Sequence, residues 1–253
     1  MSKPFGLDLS QHQGKMDWDV VAASPMNVQF VGIRVGISWG YTDKWFSFNW
    51  EEALRVKIPR TAYHVFYPLS DVTRQVKSIK KNLGNDYGEM PITADIELDH
   101  GASKTQFSTN LKRYVEEIEA EFGRKPIIYS RASFFDAHID PNFSLSMGNS
   151  YKWWMANYPR ETGVEATFPP AIPKHIDRGN VIIHQTSDTM PKIGAVGGNS
   201  MDYNRWLLSE EELNLFTGKQ DVPVEENKEL ALADQIDVVR KEVEELARMV
   251  RRP

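Results

Sequence analysis

Cysteine is absent from this 253-residue chain. That excludes disulfides, cysteine-ligated zinc and a thiol nucleophile. Positive charge is not in excess: 30 Lys and Arg against 35 Asp and Glu leave a net charge of −5. Nothing therefore marks a surface for nucleic acid or an anionic membrane, and neither is expected as a partner. No apolar run is long enough to span a bilayer. The N-terminus, Met1 to Asp8, enters a strand pattern without the apolar core of a signal peptide. A glycine-rich phosphate loop is missing; Gly194 to Gly198 is loose and has no lysine after it. Ser10 and Ser130 lack a nucleophile-elbow setting. The histidines are His12, His64, His100, His138, His175 and His184, and none pair at helical metal-ligand spacing. No metal and no cofactor is expected. His64 and His184 read as hydrogen-bonded structural or substrate-contacting residues rather than ligands.

What is present is an ordinary globular composition, 41% hydrophobic and 26% charged, with strand and helix patterns in alternation. Strands are expected at Phe5 to Ser10, Gln29 to Val35, Thr61 to Phe66, Ile92 to Leu98, Pro126 to Ser130, Tyr151 to Asn157, Val181 to Gln185 and Ser200 to Tyr203. Helices are expected at Trp18 to Ala23, Trp45 to Lys57, from Asp71 through Leu83, from Ser103 to Gly123, at Ser130 to Ile139, and from Ser209 to Gly218. The helix after Ser103 is the clearest, because Phe107, Leu111, Tyr114, Val115, Ile118 and Phe122 form one apolar stripe. Alternation implies parallel strand pairing. About eight strands in roughly 210 residues suggest a barrel rather than an open sheet. Helical signal is weak from Asp140 to Val181, so the later strands should be linked by loops. The expected fold is α/β: an irregular (β/α) TIM-like barrel with a C-terminal helical extension. Residues 1–218 form the barrel, 219–228 a linker and 229–253 an amphipathic helix. Trp39, Trp45 and Trp50 read as core or rim packing rather than a ligand platform.

Ile92 to Leu98 carries two acids, Asp95 and Glu97. Side chains two apart on a strand share a face. A buried strand that holds two carboxylates bears desolvation and like-charge costs unless a site uses them. The alternative is an exposed strand end with two solvated acids, and spacing alone leaves both readings open. In an α/β barrel, functional groups gather at the C-terminal ends of the strands. Asp8, Tyr63, Asp95, Glu97, Tyr129, Trp154, Gln185 and Asp202 all fall near such ends, with no Lys or Arg at those strand positions. Carboxylates beside aromatic faces suit a hydroxyl-rich, sugar-like substrate. A close acid pair suits glycosidic cleavage, one acid being held protonated by burial and by its partner.

Gly6-Leu7-Asp8-Leu9-Ser10, with Gln13-Gly14 and Asp17-Trp18, resembles the opening motif of the family 25 glycoside hydrolases, the N-acetylmuramidase lysozymes. The resemblance continues through Arg34-Val35-Gly36, Ala62-Tyr63-His64, Asp95-Ile96-Glu97, Ile128-Tyr129-Ser130, Trp154-Met155-Ala156-Asn157-Tyr158 and Asp202-Tyr203-Asn204-Arg205-Trp206. The motifs follow the family order over residues 5–216. It implies cleavage of the β-1,4 bond between N-acetylmuramic acid and N-acetylglucosamine in peptidoglycan, with retention of configuration. By this likeness Glu97 matches the general acid/base. Asp95 matches either a nucleophile or a residue that helps the substrate's acetamido group attack. Asp8 and Asp202 match flanking acids. Tyr63, Tyr129, Trp154 and Tyr158 match sugar-contacting aromatics, and Gln185 is placed with the substrate contacts. Two departures stand out. His184-Gln185-Thr186 occupies the place where the family often has Trp-Gln-Tyr, which would alter one cleft wall. Tyr203 stands where Leu is common. The family and the missing leader imply action on the bacterial cell wall, by a phage lysin released from the host or by a lysin carried on a phage particle.

Beyond the linker, Leu232, Ile236, Val239, Val243, Leu246 and Val250 form a heptad seam. Residues 229–252 are expected either to self-associate, or contact an assembly partner, or to dock on the barrel's outer helices. A rival to the enzyme is therefore a non-catalytic, glycan-binding part of a larger phage-type assembly. Equal monomer masses for the full chain and for a chain ending at Gly218 would exclude self-association.

Overall fold

The computed structural model describes residues 3–218; the expected linker and amphipathic helix (219–253) lie outside the described residues. The elements are β1 (Phe5–Leu9), α1 (Trp18–Ala22), β2 (Val28–Ile37), β3 (Tyr41–Thr42), α2 (Phe46–Arg55), β4 (Arg60–Val65), α3 (Val72–Leu83), β5 (Thr93–Asp95), α4 (Lys104–Phe122), β6 (Ile127–Ser130), α5 (Ala132–His138), α6 (Pro141–Ser146), β7 (Lys152–Ala156), β8 (Val181–Met190), β9 (Met201–Trp206) and α7 (Glu210–Thr217). The strands hydrogen-bond in the order β1-β9-β8-β7-β6-β5-β4-β2, and a β1–β2 pairing closes the ring. β3 hangs on β2 as a short antiparallel hairpin outside it. The barrel belongs to the first of two units of the chain, Met1–Leu213. No helix among the described residues is long and apolar enough to cross a membrane.

Six neighbouring pairs, from β1–β2 round to β7–β8, run parallel. β9 does not: it is antiparallel to both β8 and β1. Parallel pairing throughout, as the alternation implies, would need a crossover of a dozen or more residues before the last strand. Residues 191–200 are too few and carry no helix, so the chain turns back on itself. β7 and β8 are joined by 157–180, where the only helix is a single 3-10 turn. The weak helical signal after Asp140 has one exception, α6. Asp140 caps it by accepting from the Asn142 amide, and Pro141 stands in its first turn, a start signal of a short helix.

Two apolar layers result from the period of two along each strand. Leu7, Leu9, Ile33, Val35, Ala62, Ala94, Ile128 and Met155 point outward into one continuous core beneath the helices. α4 shows why a helix forms there. Ser103 and Gln106 close a reciprocal capping box, and Gly123 ends the helix in the left-handed region at φ 72°. All six stripe residues are buried, each worth about 1.5–3 kcal/mol against exposure. The interior layer differs. Phe30 and Trp206 pack edge to face in it, and the polar residues described below share it. Gly32 makes room: a Cβ there would sit 2.6 Å from the Trp154 ring and 3.2 Å from Asp8 Cβ. Trp50 is core, stacked on Phe46, but Trp39 is 44% exposed.

Candidate active site

One cavity of about 180 Å3 opens at the barrel mouth, where the parallel strands end, and contains every residue expected there. Asp8 comes from β1, Tyr63 from β4, Asp95 from β5, Tyr129 from β6, Trp154 from β7 and Gln185 from β8; Glu97 and Tyr158 lie two residues beyond β5 and β7. β5 ends at Asp95, earlier than the expected Leu98, so Glu97 stands on the loop above the strand and is exposed whereas Asp95 is buried. Asp202 reaches the mouth by another route. β9 is antiparallel, so its beginning, not its C-terminal end, meets the mouth, and Asp202 pairs in register with Asp8.

The acids are held by amides. Gln185 Nε2 donates to Asp8 Oδ2 at 2.8 Å and to Asp202 Oδ2 at 3.4 Å, and Asn204 Nδ2 donates to Asp8 Oδ2 at 2.7 Å. Gln185 Oε1 accepts from the hydroxyls of Tyr129 and Tyr158. The Trp154 indole donates to Asn204 Oδ1 at 2.8 Å. Gln185 is only 2% exposed and its carboxamide is fully engaged. It clamps the acids from behind while also lining the cavity. Trp154, also 2% exposed, supports the wall edge-on to Tyr129. Tyr63, Tyr129 and Tyr158 are the half-buried aromatics that line the cavity.

Desolvation raises the proton affinity of all four acids, and a neighbouring carboxylate charge adds to it at Asp95, Glu97 and Asp202. Desolvation pushes Asp95 well above the usual carboxylate range, and the charges of Glu97 and Asp8 add to it, while Arg34 opposes. Asp95 Oδ1 is buried with no hydrogen-bond partner. Glu97 is raised less freely: desolvation lifts it and Arg131 and Arg34 oppose. Asp202 is pushed up to about 9, by burial first and then by Asp8. Asp8 is also raised by burial, but its amide donors pull the other way. The contact between the two carboxyls works in opposite senses, lowering Asp8 and raising Asp202.

Arginines were not expected at these strand positions, yet Arg131 lines the cavity one residue past β6, its guanidinium 5.0 Å from the Tyr158 ring centre. Its spacing of two from Tyr129 is a signal that it shares that face. Arg34 Nε donates to Asp43 at 3.0 Å, which fixes the guanidinium whose charge acts on Asp95 and Glu97. Asn204, Thr93 and Asp188 were also given no role by the sequence, although Thr93 and Asp188 line the cavity. His184 and Thr186 flank Gln185 on β8 and do not line the cavity. His184 Nε2 contacts the Asn157 carbonyl. His64 lies between the Tyr114 hydroxyl and the Ser38 carbonyl, and burial lowers its pKa to about 4; both histidines are structural. No cluster of His, Asp or Glu able to hold a metal occurs among the described residues.

Residues 7–194 match the sequence model of glycosyl hydrolases family 25. The uncharacterized protein YegX of Escherichia coli O157:H7 is 28% identical over 226 residues, which cover 86% of this chain and 75% of that one. Lysozyme M1 of Streptomyces globisporus is 28% identical over 210 residues, covering 79% and 66%. The crystal structure of a bacterial lysozyme from Streptomyces coelicolor superposes with a TM-score of 0.70 at 23% identity, covering 87% of this chain and 99% of that one.

Proposed function

Since the chain belongs to glycosyl hydrolase family 25 and is a glycoside hydrolase, we propose that it is a muramidase acting at the bacterial cell wall. Its substrate is the β-1,4 bond between N-acetylmuramic acid and N-acetylglucosamine in peptidoglycan. The observation that carries the proposal is the contrast inside one cavity between buried Asp95 and exposed Glu97, two residues apart. Glu97, at the rim, has access to a glycosidic oxygen and serves as the acid that protonates it. Asp95, deeper, faces the sugar carbon. In the free protein burial holds a proton on Asp95 more firmly than on Glu97. Positive charge developing on the sugar ring favours ionised Asp95, while Glu97 gives its own proton to the leaving oxygen as the glycosidic bond breaks. Asp95 then either bonds to the sugar carbon or steadies the substrate's acetamido group as it attacks. Glu97 next acts as base toward water, with retention of configuration. Asp8 and Asp202 set the charge beneath the pair, and Tyr63, Tyr129 and Tyr158 offer faces and hydroxyls to the sugar.

The test is release of reducing ends from peptidoglycan. Glu97→Gln should lower turnover by about 10²–10⁴-fold while glycan binding persists, because the amide keeps the shape but supplies no proton. Unchanged turnover in Glu97→Gln would remove that residue from the role. A wild-type protein that releases none from about pH 4 to about pH 8, where a tuned carboxylic acid works, would overturn the muramidase itself.

A further inference from the structure

A second pocket lies outside the barrel, between the β2–β3 turn and α3. Trp39, Thr42, Arg74, Lys77, Lys81 and Asn82 line it, and at about 400 Å3 it is larger than the mouth cavity. Arg74, Lys77 and Lys81 are spaced by three and four on α3 and so share one helix face, about 5–6 Å apart. All three are exposed, no acid lines the pocket, and none of them forms an ion pair among the described residues. Lys80, on the adjoining face of the same helix, does pair, with Glu121 at 3.2 Å. Here three cations of one helix face are left together in a chain of net charge −5.

The arrangement is also built rather than merely solvated. Trp39, 44% exposed, carries the Arg74 guanidinium 3.4 Å above its ring. Stacking holds the guanidinium plane while leaving its N–H edge free to donate. The turn bearing Trp39 is tied to α3 by a 3.3 Å hydrogen bond between Thr42 and Asn82. An arginine edge fills a planar carboxylate by itself. A tetrahedral phosphate can take that edge and still offer oxygens to a lysine. We propose that this pocket binds the phosphates of an anionic phosphodiester chain, with Arg74 and Lys77 on one phosphate and Lys81 on the next. The site stands apart from the chemistry at Glu97 and does not depend on it.

Calorimetric titration of the full chain with a glycerol-phosphate oligomer, at low salt, tests this. Saturable binding that weakens as salt is added is expected. The double variant Lys77→Glu, Lys81→Glu should lose at least about tenfold in affinity. The matched variant Lys174→Glu, Lys192→Glu, with the same change in net charge, should lose little. Trp39→Ala should weaken binding by about threefold, since Arg74 loses its platform. Thermal unfolding checks that all variants fold. Equal loss in both charge-reversed variants would overturn the site, as would absence of binding by wild type. Inorganic phosphate binding as tightly as the oligomer would reassign the pocket to a free ion and overturn the chain; equal binding of a poly-glutamate of the same charge would overturn the preference for phosphate.

Discussion

The two ends of the barrel bury charge in opposite ways. At the base, Arg60 opens β4 and is 1% exposed. Its guanidinium donates to Asp86 at 2.9 Å and to Glu89 at 2.8 Å, and lies 4.4 Å from the Trp50 ring centre. At the mouth five carboxylates (Asp8, Asp95, Glu97, Asp188 and Asp202) share one cavity with a single cation, Arg131, and the side chains that donate to Asp8 and Asp202 are the neutral amides of Gln185 and Asn204. Opposite charges lower each other's cost of burial and fix the chain. Like charges raise each other's affinity for protons, which costs stability and provides exchangeable protons. The base spends its charge on the fold, the mouth on chemistry.

Removing the cation should break the base end alone. Arg60→Leu leaves Asp86 and Glu89 unpaired, but their side chains are 45% and 31% exposed and rehydrate. The loss should be about 3 kcal/mol, at the low end for breaking a buried ion pair, read from urea unfolding at neutral pH. Activity per folded molecule should hold. A parallel loss of activity would mean that the ends are not separate. Gln185→Leu should do the reverse: a smaller stability loss, about 2 kcal/mol for several buried hydrogen bonds, with activity falling about 10²-fold as the acids lose their register. A variant that loses stability alone would make Gln185 a structural residue only.

Much of this contrast was legible in the residues, and what was not has physical reasons. The stripe and caps of α4 are local, so spacing alone located it from Ser103 to Gly123. The convergence of the four acids followed from barrel topology, which carries strand ends to one mouth. Pairing direction is not local: Met201–Trp206 alternates alike whether it runs parallel or antiparallel, and the length of 191–200 decides. Nor does sequence tell which polar side chains face each other across strands. Gln185 and Asn204 were visible as residues, but their grip on Asp8 depends on β1, β8 and β9 lying side by side. Arg131 was passed over because it stands one residue past its strand.

The finest test of the comparison is pH. Burial raises Asp86, but the hydrogen bonds and charge of Arg60 overcome it and hold the carboxyl below its ordinary 3.8. Its share of stability is present above that value and is lost as pH falls through the folded pKa. Asp202 has the opposite sign. Its folded pKa is about 9 against an ordinary 3.8, so the folded state holds the proton more tightly than the unfolded chain does. That contribution is whole below about pH 3.8 and is lost as pH rises toward 9. Acid should therefore loosen the base and alkali the mouth. Asp202→Asn isolates the second half: the amide can still donate to Asp8 and accept from Gln185, but cannot titrate. Its Tm should match wild type in acid and exceed it by a margin that widens as pH rises from about 4 toward 9. A difference in Tm that stays constant with pH would show that Asp202 is ionised in the folded state, and the mouth would then hold its acids by solvation rather than by a retained proton.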